Sequence, residues 1–432
     1  MGYFVLLLTI VVYLIRPAEW IPGLGFNWNM LLNGLGVLVI LGKALHNENK
    51  TNADRTTHYL VWFVLAIIMS SIANFQFVTI SLYYTQLASL VVTFMLVQST
   101  INSPKQINRL ILVFIAALLF ICFQCYLQVS NGINWGGLEP YSRGVMSSRD
   151  EETGIAKIRE FQVIWYGVFG DPNDLGMLLI AFVPYLANKS IFQPAAFTKK
   201  IFWISALFVV GYTVFLTNSR GTMVALLVGL SAFVIIKKKS VKALFVIAFL
   251  VLFFILLGPS RLAEITSGDT SSMGRIYAWI EALGLFRMNP LFGIGANEFL
   301  EYHFITTHNS FVLAFTETGL LGFTAYLGLF IIAISTGIKT AYAEGNEIRK
   351  MEIIALTSGL IGIMVSIFFI SRTYVLLPFL YVAILTTYLR VYCPNNYRKY
   401  LSEPSLVRLF AFTIGFVIFI YLFNRLSTNL LL

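Results

Sequence analysis

Charged residues are scarce in this sequence: Asp, Glu, Lys and Arg together make up only 12% of its 432 residues. Hydrophobic residues make up 58%, and the mean hydropathy is +0.80. A soluble domain of this composition would expose large apolar patches, which soluble proteins avoid. The scarcity of charge therefore excludes a soluble domain and predicts an all-α, polytopic membrane protein, because helices satisfy their own backbone hydrogen bonds in lipid.

Cysteine is also scarce, with three residues in the chain. Cys122 and Cys125 lie one helical turn apart inside an apolar run, and Cys393 lies in a basic segment. This pattern predicts helix packing for the first two and gives no disulfide framework. The carboxylates form no convincing metal-binding cluster in the sequence, so we expect neither a metal nor a cofactor.

Apolar runs of about 15 to 20 residues recur along the chain, and each is long enough to cross a hydrocarbon core about 30 Å thick as a helix. The first run also has the length of a signal-peptide core, but no basic segment precedes it and no small-x-small cleavage site follows it. We therefore predict one integral membrane domain over 1–432 with thirteen spans, or twelve if the first inserts only partly. The predicted spans are 2–15, 28–44, 59–73, 80–97, 110–128, 174–188, 201–216, 222–236, 243–258, 311–338, 353–370, 374–390 and 409–424.

Basic residues are distributed unevenly between the two predicted sides. With the N-terminus inside, 19 of the 30 Lys and Arg residues fall in the cytoplasmic interruptions, as the positive-inside rule requires. These loops account for the net charge of +10, so nucleic acid is not expected as a partner. Of the 11 outside cations, 10 are arginine, which grips phosphate oxygens in two places. This excess of arginine over lysine outside is consistent with phosphate binding there. It is also consistent with a general rarity of lysine on translocated loops.

Two of the predicted outer loops are long, 129–173 and 258–309. The first contains aromatic and polar side chains that could stack on sugar rings and bond to their hydroxyls. Such residues are also enriched at membrane interfaces in general. It ends in a Gly-Asp-Pro-Asn-Asp sequence that predicts a helix start, with Asp171 as N-cap and Pro172 as the first helical residue. A metal site formed by Asp171 and Asp174 is the alternative.

The outer turn between the seventh and eighth spans contains Ser219, Arg220 and Gly221. Ser219 and Gly221 allow a tight turn, and the helix that follows begins with free amide hydrogens and a positive dipole end. Arg220 is thereby placed beside an anion site at the membrane surface. An arginine that only reaches out to lipid headgroup phosphates is the alternative.

The second long loop is predicted to form a reaction chamber at the membrane surface. Within it, Arg275 precedes a segment with apolar residues at helical spacing, which indicates an amphipathic helix on the outer leaflet or capping the bundle. A cation at a helix start is repelled by the positive end of the helix dipole. An anion bound at the same place would offset that repulsion. The predicted apolar stripe consists of Ile276, Trp279, Ile280, Leu283 and Phe286. A Gly/Pro-rich turn follows at 289–295.

The outward-facing histidines are His303 and His308. His308 lies in a Thr-Thr-His-Asn-Ser sequence just before the chain re-enters the membrane, and an imidazole can exchange a proton near neutral pH. A hydrogen-bonded structural role is the alternative. The run 311–338 that follows is too long for one simple span, so its first part, to about Thr318, is predicted to be a helix at the outer surface.

In their order, sidedness and loop lengths, these motifs resemble the O-antigen ligase and polymerase superfamily of bacterial inner membranes. The resemblance is strongest over 169–333 and rests on Ser219-Arg220-Gly221, Gly274-Arg275, the 290–295 turn, Thr307-His308-Asn309-Ser310 and Glu317-Thr318-Gly319. It implies an all-helical glycosyltransferase that takes a glycan from undecaprenyl pyrophosphate at the periplasmic face. The acceptor is lipid A core in ligases, another lipid-linked glycan in polymerases, and a protein in related oligosaccharyltransferases.

Carried over by position, the resemblance implies that Arg220 and Arg275 bind the pyrophosphate and that His308 positions or deprotonates the acceptor hydroxyl. The other substrate-binding candidates are Ser219, Arg261, Arg287 and Asn309, and the alternative bases are Glu298, Glu301 and Asp269.

Arginines can stabilise a leaving pyrophosphate in place of a metal, and direct attack by the acceptor would invert the anomeric carbon. The expectation is a metal-independent, inverting O-antigen ligase among membrane lipids, with a polymerase or a protein O-oligosaccharyltransferase as the alternatives. A transporter of lipid-linked glycans would show ionisable residues deep within spans and a two-fold repeat. Here the spans are almost free of charge, with Glu317 as the doubtful case.

Overall fold

About four-fifths of the described chain is helical. The computed structural model describes residues 1–46, 54–142, 161–239, 270–401 and 406–431. In these ranges the only strands are β1 (Tyr141–Ser142) and β2 (Phe161–Gln162), which pair antiparallel. The helices are α1 (Gly2–Ile15), α2 (Pro17–Trp20), α3 (Trp28–Leu45), α4 (Arg55–Ala73), α5 (Phe77–Thr100), α6 (Pro104–Asn131), α7 (Pro172–Ile180), α8 (Val183–Ala187), α9 (Phe197–Leu216), α10 (Arg220–Lys238), α11 (Thr270–Met288), α12 (Phe299–Tyr302), α13 (Ser310–Ala343), α14 (Glu347–Ile367), α15 (Leu376–Tyr392), α16 (Pro394–Leu401) and α17 (Leu406–Leu431).

The helix lengths confirm the all-α, multi-pass membrane protein that the sequence predicts. Nine helical segments in the described ranges are long and apolar enough to cross a membrane, and three shorter apolar helices accompany them. These segments coincide with the predicted spans except for 243–258, which lies outside the described residues. The sixth predicted span differs in detail, because α7 and α8 are separate and a π-helical turn follows over Asn188–Phe192.

The centre of the bundle is formed by α13, α14 and the α7–α8 segment, which are mostly buried, whereas α3, α9 and α17 face outward. Close approach of α10 to α14 depends on paired glycines. A Cβ added at Gly229 would lie 3.3 Å from the carbonyl oxygen of Ser358 and 3.4 Å from the Cα of Gly362. Such small-residue contacts let membrane helices pack through their backbones, where the hydrophobic effect gives no driving force.

Polar contacts tie the helices together at the end of the bundle where α1 begins. There Glu352 of α14 accepts hydrogen bonds from Lys189, from Tyr388 and, at 3.0 Å, from Gln193. We call this the basic end, and it carries Lys43, Lys105, Lys189, Lys237, Lys238, Lys239, Lys339, Lys350 and Lys399. We call the opposite end the arginine end, and it carries Arg16, Arg220, Arg275 and Arg372.

Helix α13 is broken at Gly319, which has φ 63° and ψ −168°. The break frees backbone groups that the 289–295 turn then satisfies: Ile294 N–H donates to the Thr316 carbonyl at 3.0 Å, and Leu320 N–H donates to the Pro290 carbonyl at 2.8 Å. The break follows Thr318, where the sequence predicts the end of a separate helix. Every residue of Ser310–Gly319 is buried among its neighbours, and the position of this helix at the outer membrane surface stays a prediction.

Candidate functional site

Four helices begin close together at the arginine end: α7, α10, α13 and α15. The first three have side-chain caps, in which Asp171 accepts from Asn173 N–H at 2.8 Å, Ser219 from Thr222 N–H at 3.1 Å, and Asn309 from Phe311 N–H at 2.9 Å. The Asp171 cap confirms the predicted start of α7. Each helix start contributes a positive dipole end, so the region they share favours a bound anion.

The starts of α7 and α10 are joined directly. The Ser219 hydroxyl donates to Asn173 Oδ1 at 2.5 Å. A Cβ added at Gly176 of α7 would lie 1.9 Å from the hydroxyl oxygen of Thr222 in the first turn of α10, so only glycine allows this approach. Ser219, predicted as a substrate-binding residue, is buried and caps α10, so its hydroxyl positions Arg220 next to it.

An ion pair joins the start of α7 to the loop before α15. Arg372 Nε and Nη2 donate to Asp174 Oδ1 and Oδ2 at 2.7 and 2.5 Å, a bidentate arrangement. Asp174 is 1% exposed, whereas the Arg372 side chain is 36% exposed. Although burial lowers the pKa of Arg372, the bonds to Asp174 raise the pKa above its ordinary value, so Arg372 stays protonated. The Asp174 carboxylate is therefore occupied by a cation from the protein itself.

The same loop is bonded to the start of α13. Arg372 N–H donates to the Ser310 hydroxyl oxygen at 2.7 Å, and the Thr373 hydroxyl donates to the Ser310 carbonyl at 2.9 Å. The hydroxyls of Thr307 and Ser371 lie 3.2 Å apart. These bonds fix Arg372 beside the segment that carries His308.

Arg220 is the first residue of α10 and is half-buried. A Cβ added to Gly221 would lie 3.0 Å from the Phe369 Cβ, so the start of α10 contacts the 368–375 loop closely. The predicted placement of Arg220 at a helix start is therefore observed, and the Asp174–Arg372 pair lies on the neighbouring elements.

Helix α11 brings Arg275 toward the His308 segment. The Trp279 indole donates to the Thr307 carbonyl at 2.7 Å, and a Cβ at Gly274 would lie 3.1 Å from Ile305 Cδ1. The prediction that Arg275 stands at a helix start is wrong, because α11 includes Thr270 and Arg275 is at least its sixth residue.

The buried face of α11 includes Trp279 and Leu283 of the predicted stripe but not Ile280. Ile280 is 41% exposed, whereas the small residues Ala278 and Ala282 are buried. Alanines replace larger apolar residues at the contact because α11 packs against α13 and α17. The helix therefore packs onto α13 and α17, and its placement on the outer leaflet or over the bundle stays a prediction.

His308 and Asn309 form the turn into α13. His308 is half-buried and has φ 47°, a left-handed conformation that is uncommon outside glycine. Asn309 is fully buried, its Oδ1 caps α13, and its Nδ2 has no acceptor among the described residues. A donor of this kind beside His308 can bind an oxygen atom of a ligand.

The carboxylates near α12 lie deeper in the bundle than His308. Glu317 accepts from Phe299 N–H at 3.2 Å and from the Tyr374 hydroxyl at 2.7 Å. Burial raises the pKa of Tyr374 well above its usual value, so the phenol is protonated and donates. Glu317 is about 10 Å along α13 from Ser310. Glu298 and Glu301, the alternative bases, flank Phe299 at this level, and Glu301 is exposed.

The remaining predicted site residues lie elsewhere. The Arg287 guanidinium is 5.1 Å from the Tyr421 ring centroid, at the far end of α11 and about 18 Å along that helix from Arg275. The His303 ring stacks between Phe299 and Phe304, and its Nδ1 lies 3.0 Å from the Ile305 carbonyl oxygen and 3.3 Å from the Ile305 nitrogen. Arg261 and Asp269 lie outside the described residues.

The sequence reasoning did not assign Arg372 a role, and it considered Asp174 only as a metal ligand. The available signal was an arginine between two spans in a Ser-Arg-Thr sequence, together with a carboxylate in the first turn of a helix. Sequence spacing alone could not pair two residues 198 positions apart. In the described ranges, no group of three or more His, Cys, Asp or Glu side chains is placed to hold a metal ion.

Residues 205–327 match the family model described as O-antigen ligase. The matched segment contains Ser219, Arg220, Arg275, His308 and Asn309, and it ends after the α13 break. A search of curated proteins gives no match.

Proposed function

We propose that this chain is an O-antigen ligase of the bacterial inner membrane, and the match of residues 205–327 to the O-antigen ligase family model supports the proposal. In this proposal it transfers a glycan from undecaprenyl pyrophosphate to a hydroxyl of lipid A core, and the arginine end faces the periplasm. The observation that carries the proposal is the convergence of four helix starts with Arg220 and Arg372 at one end of the bundle.

The anion in this proposal is the diphosphate of the lipid-linked donor. Dipole ends and guanidinium groups favour negative charge at the same place, and a membrane surface of low dielectric strengthens both effects. Arg220 begins α10 at this end, and the contacts of Trp279 and Gly274 with the His308 segment support placing Arg275 at the same diphosphate. The isoprenoid chain would lie in the surrounding lipid.

The proposed reaction is a single displacement. The acceptor oxygen attacks the anomeric carbon as the bond from that carbon to the diphosphate oxygen breaks, and the bonding electron pair stays on the diphosphate. The acceptor proton passes to the His308 imidazole and then to water. Arg220 and Arg275 stabilise the charge that grows on the diphosphate, a role that needs no metal, and attack from the opposite face inverts the anomeric carbon.

The acceptor distinguishes a ligase from the other enzymes that use this donor. We expect the purified protein in lipid, supplied with undecaprenyl-pyrophosphate glycan, to transfer the glycan to lipid A core and to do so equally in EDTA. Mass spectrometry of the products would measure this. Elongated lipid-linked glycan with unmodified lipid A core would identify a polymerase instead, and no transfer to either acceptor would contradict both assignments.

His308 can be tested against a matched histidine in the same loop. We expect His308→Asn to lower kcat by about 10²–10⁴-fold, because that is the usual contribution of a positioned general base. His303→Asn keeps an acceptor for Ile305 N–H, so its kcat should stay within a factor of three. Equal losses in the two variants would show that the turn, rather than the His308 imidazole, is what transfer requires.

A further inference from the structure

We propose that Arg372 is a further ligand of the donor diphosphate and that Asp174 is its positioning residue. This inference rests on the proposed function and adds a residue to the same site. In it, Arg220 and Arg372 lie on either side of the α7 start and contact different phosphates of one diphosphate group.

The guanidinium of Arg372 has donors left for a ligand. Asp174 takes one N–H from Nε and one from Nη2, and Nη1 donates weakly to the Ser371 carbonyl at 3.4 Å. A guanidinium has five N–H donors, so in the described residues one on Nη2 and one on Nη1 remain. These two donors lie on adjacent nitrogens, the arrangement that binds two oxygens of one phosphate.

Contacts within the protein hold Arg372 in position. Its side chain is held by a nearly fully buried carboxylate, and its backbone N–H is held by Ser310 at 2.7 Å. Burying a carboxylate is costly, and an ion pair seldom recovers the cost by stability alone. A cation held in one orientation loses little entropy on binding a phosphate, so the buried carboxylate has a use in binding.

The two arginines are linked across the start of α7. Arg220 follows Ser219, whose hydroxyl donates to Asn173, and the next residue is Asp174, which binds Arg372. A diphosphate presents two phosphate groups that can contact both arginines at once, whereas a monophosphate presents one. Arg372 should therefore determine how strongly the protein prefers a lipid diphosphate to a lipid monophosphate.

The test measures the Kd of undecaprenyl pyrophosphate and of undecaprenyl monophosphate with the full-length protein in nanodiscs. We expect Arg372→Gln to weaken diphosphate binding at least tenfold and to leave monophosphate binding within twofold. Arg372→Lys keeps the charge but loses the fork, so its diphosphate Kd should lie between those of the wild type and Arg372→Gln. Unchanged diphosphate binding in Arg372→Gln would overturn the inference.

The matched control is Arg390→Lys at the basic end. Arg390 is also half-buried, and it donates to the carbonyls of Gln98 and Ile101 at 2.7 and 2.8 Å. This variant should bind the diphosphate lipid within twofold of the wild type. A loss equal to that of Arg372→Lys would reflect general loosening of the fold and would overturn the inference.

A reversed ion pair separates positioning from a purely structural role. In the double variant Asp174→Arg, Arg372→Asp, the two charges can still pair, so thermal stability should recover relative to Arg372→Asp alone while diphosphate affinity should not. Recovery of both would mean that the pair acts only in folding.

The positioning role of Asp174 predicts a split between two kinetic constants. Asp174→Asn loosens Arg372 without removing it, so we expect KM for the donor to rise about tenfold while kcat stays within threefold. A tenfold fall in kcat with no change in KM would contradict this role. If the wild-type protein neither binds the diphosphate lipid nor transfers a glycan, the proposed function fails; if it does both and the Arg372 variants match it, only this inference fails.

Discussion

Replacing Arg220 with glutamine should lower kcat for glycan transfer by about 10²–10³-fold, the usual cost of removing one preorganised donor from a developing negative charge. The reason is its place at the first position of α10, fixed by the Ser219 cap and by the close contact of Gly221 with Phe369. In the proposed reaction, negative charge grows on the diphosphate as the sugar leaves, so Arg220 would bind the transition state more strongly than the bound donor. KM should therefore change less than kcat.

Two further variants make this prediction specific. Arg220→Lys keeps a positive charge without the planar fork, so it should retain more activity than Arg220→Gln but less than the wild type. Arg349→Gln removes an arginine at the basic end, where Nη1 donates weakly to the Tyr392 carbonyl at 3.4 Å, and it should leave kcat within a factor of two. Single-turnover kinetics with labelled donor would measure all three, and an Arg220→Gln rate within threefold of the wild type would contradict the role.

Gly319→Ala is expected to destabilise the protein by about 3 to 5 kcal/mol, from backbone strain and overpacking together. The backbone at φ 63° and ψ −168° is a region that only glycine adopts without strain. A Cβ there would also lie 2.3 Å from the carbonyl carbon and oxygen of Leu291, backbone atoms that cannot move aside alone. The substitution would separate α13 from the 289–295 turn and disturb the His308 segment above it.

The control for this variant is Gly211→Ala in α9. A Cβ at Gly211 meets nothing within 4 Å, and the backbone there is helical, so the free energy of unfolding should stay within about 1 kcal/mol. Equilibrium unfolding in mixed micelles would compare the two variants. Equal stability of Gly319→Ala and Gly211→Ala would mean that the break is not needed to hold the turn.

Much of the fold could be predicted because membrane spans are local features of sequence. Hydropathy and length identify them without knowledge of their neighbours, and caps such as Asp171 mark helix starts within a few residues. The environment of the break at Gly319 was harder to predict. The break is stabilised by hydrogen bonds to the 289–295 turn, which follows α11 and is distant from Gly319 in sequence. The packing of α11 through Ala278 and Ala282 depends likewise on α13 and α17.

The site was predictable only in part, for the same reason. The turns that carry Arg220 and His308 contain their own signals: a capping serine, a glycine and a polar sequence before a span. The local signals at Arg372 and Asp174 do not show that the two residues pair, because only the folded chain brings them together. Arg287 looked equivalent to Arg275 in sequence. In the structure it lies about three turns further along α11 and contacts Tyr421.

The measurement that tests the central claim most directly is photo-crosslinking of a lipid diphosphate with a photoreactive group on its first isoprene unit. Purified protein would be irradiated with this probe, and the attached peptides would be identified by mass spectrometry. We predict attachment within 171–176, 217–222, 304–312 and 368–376, and competition by unlabelled undecaprenyl pyrophosphate. Attachment confined to the basic end, around Lys43, Lys189 or Lys350, would contradict the placement of the donor at the arginine end.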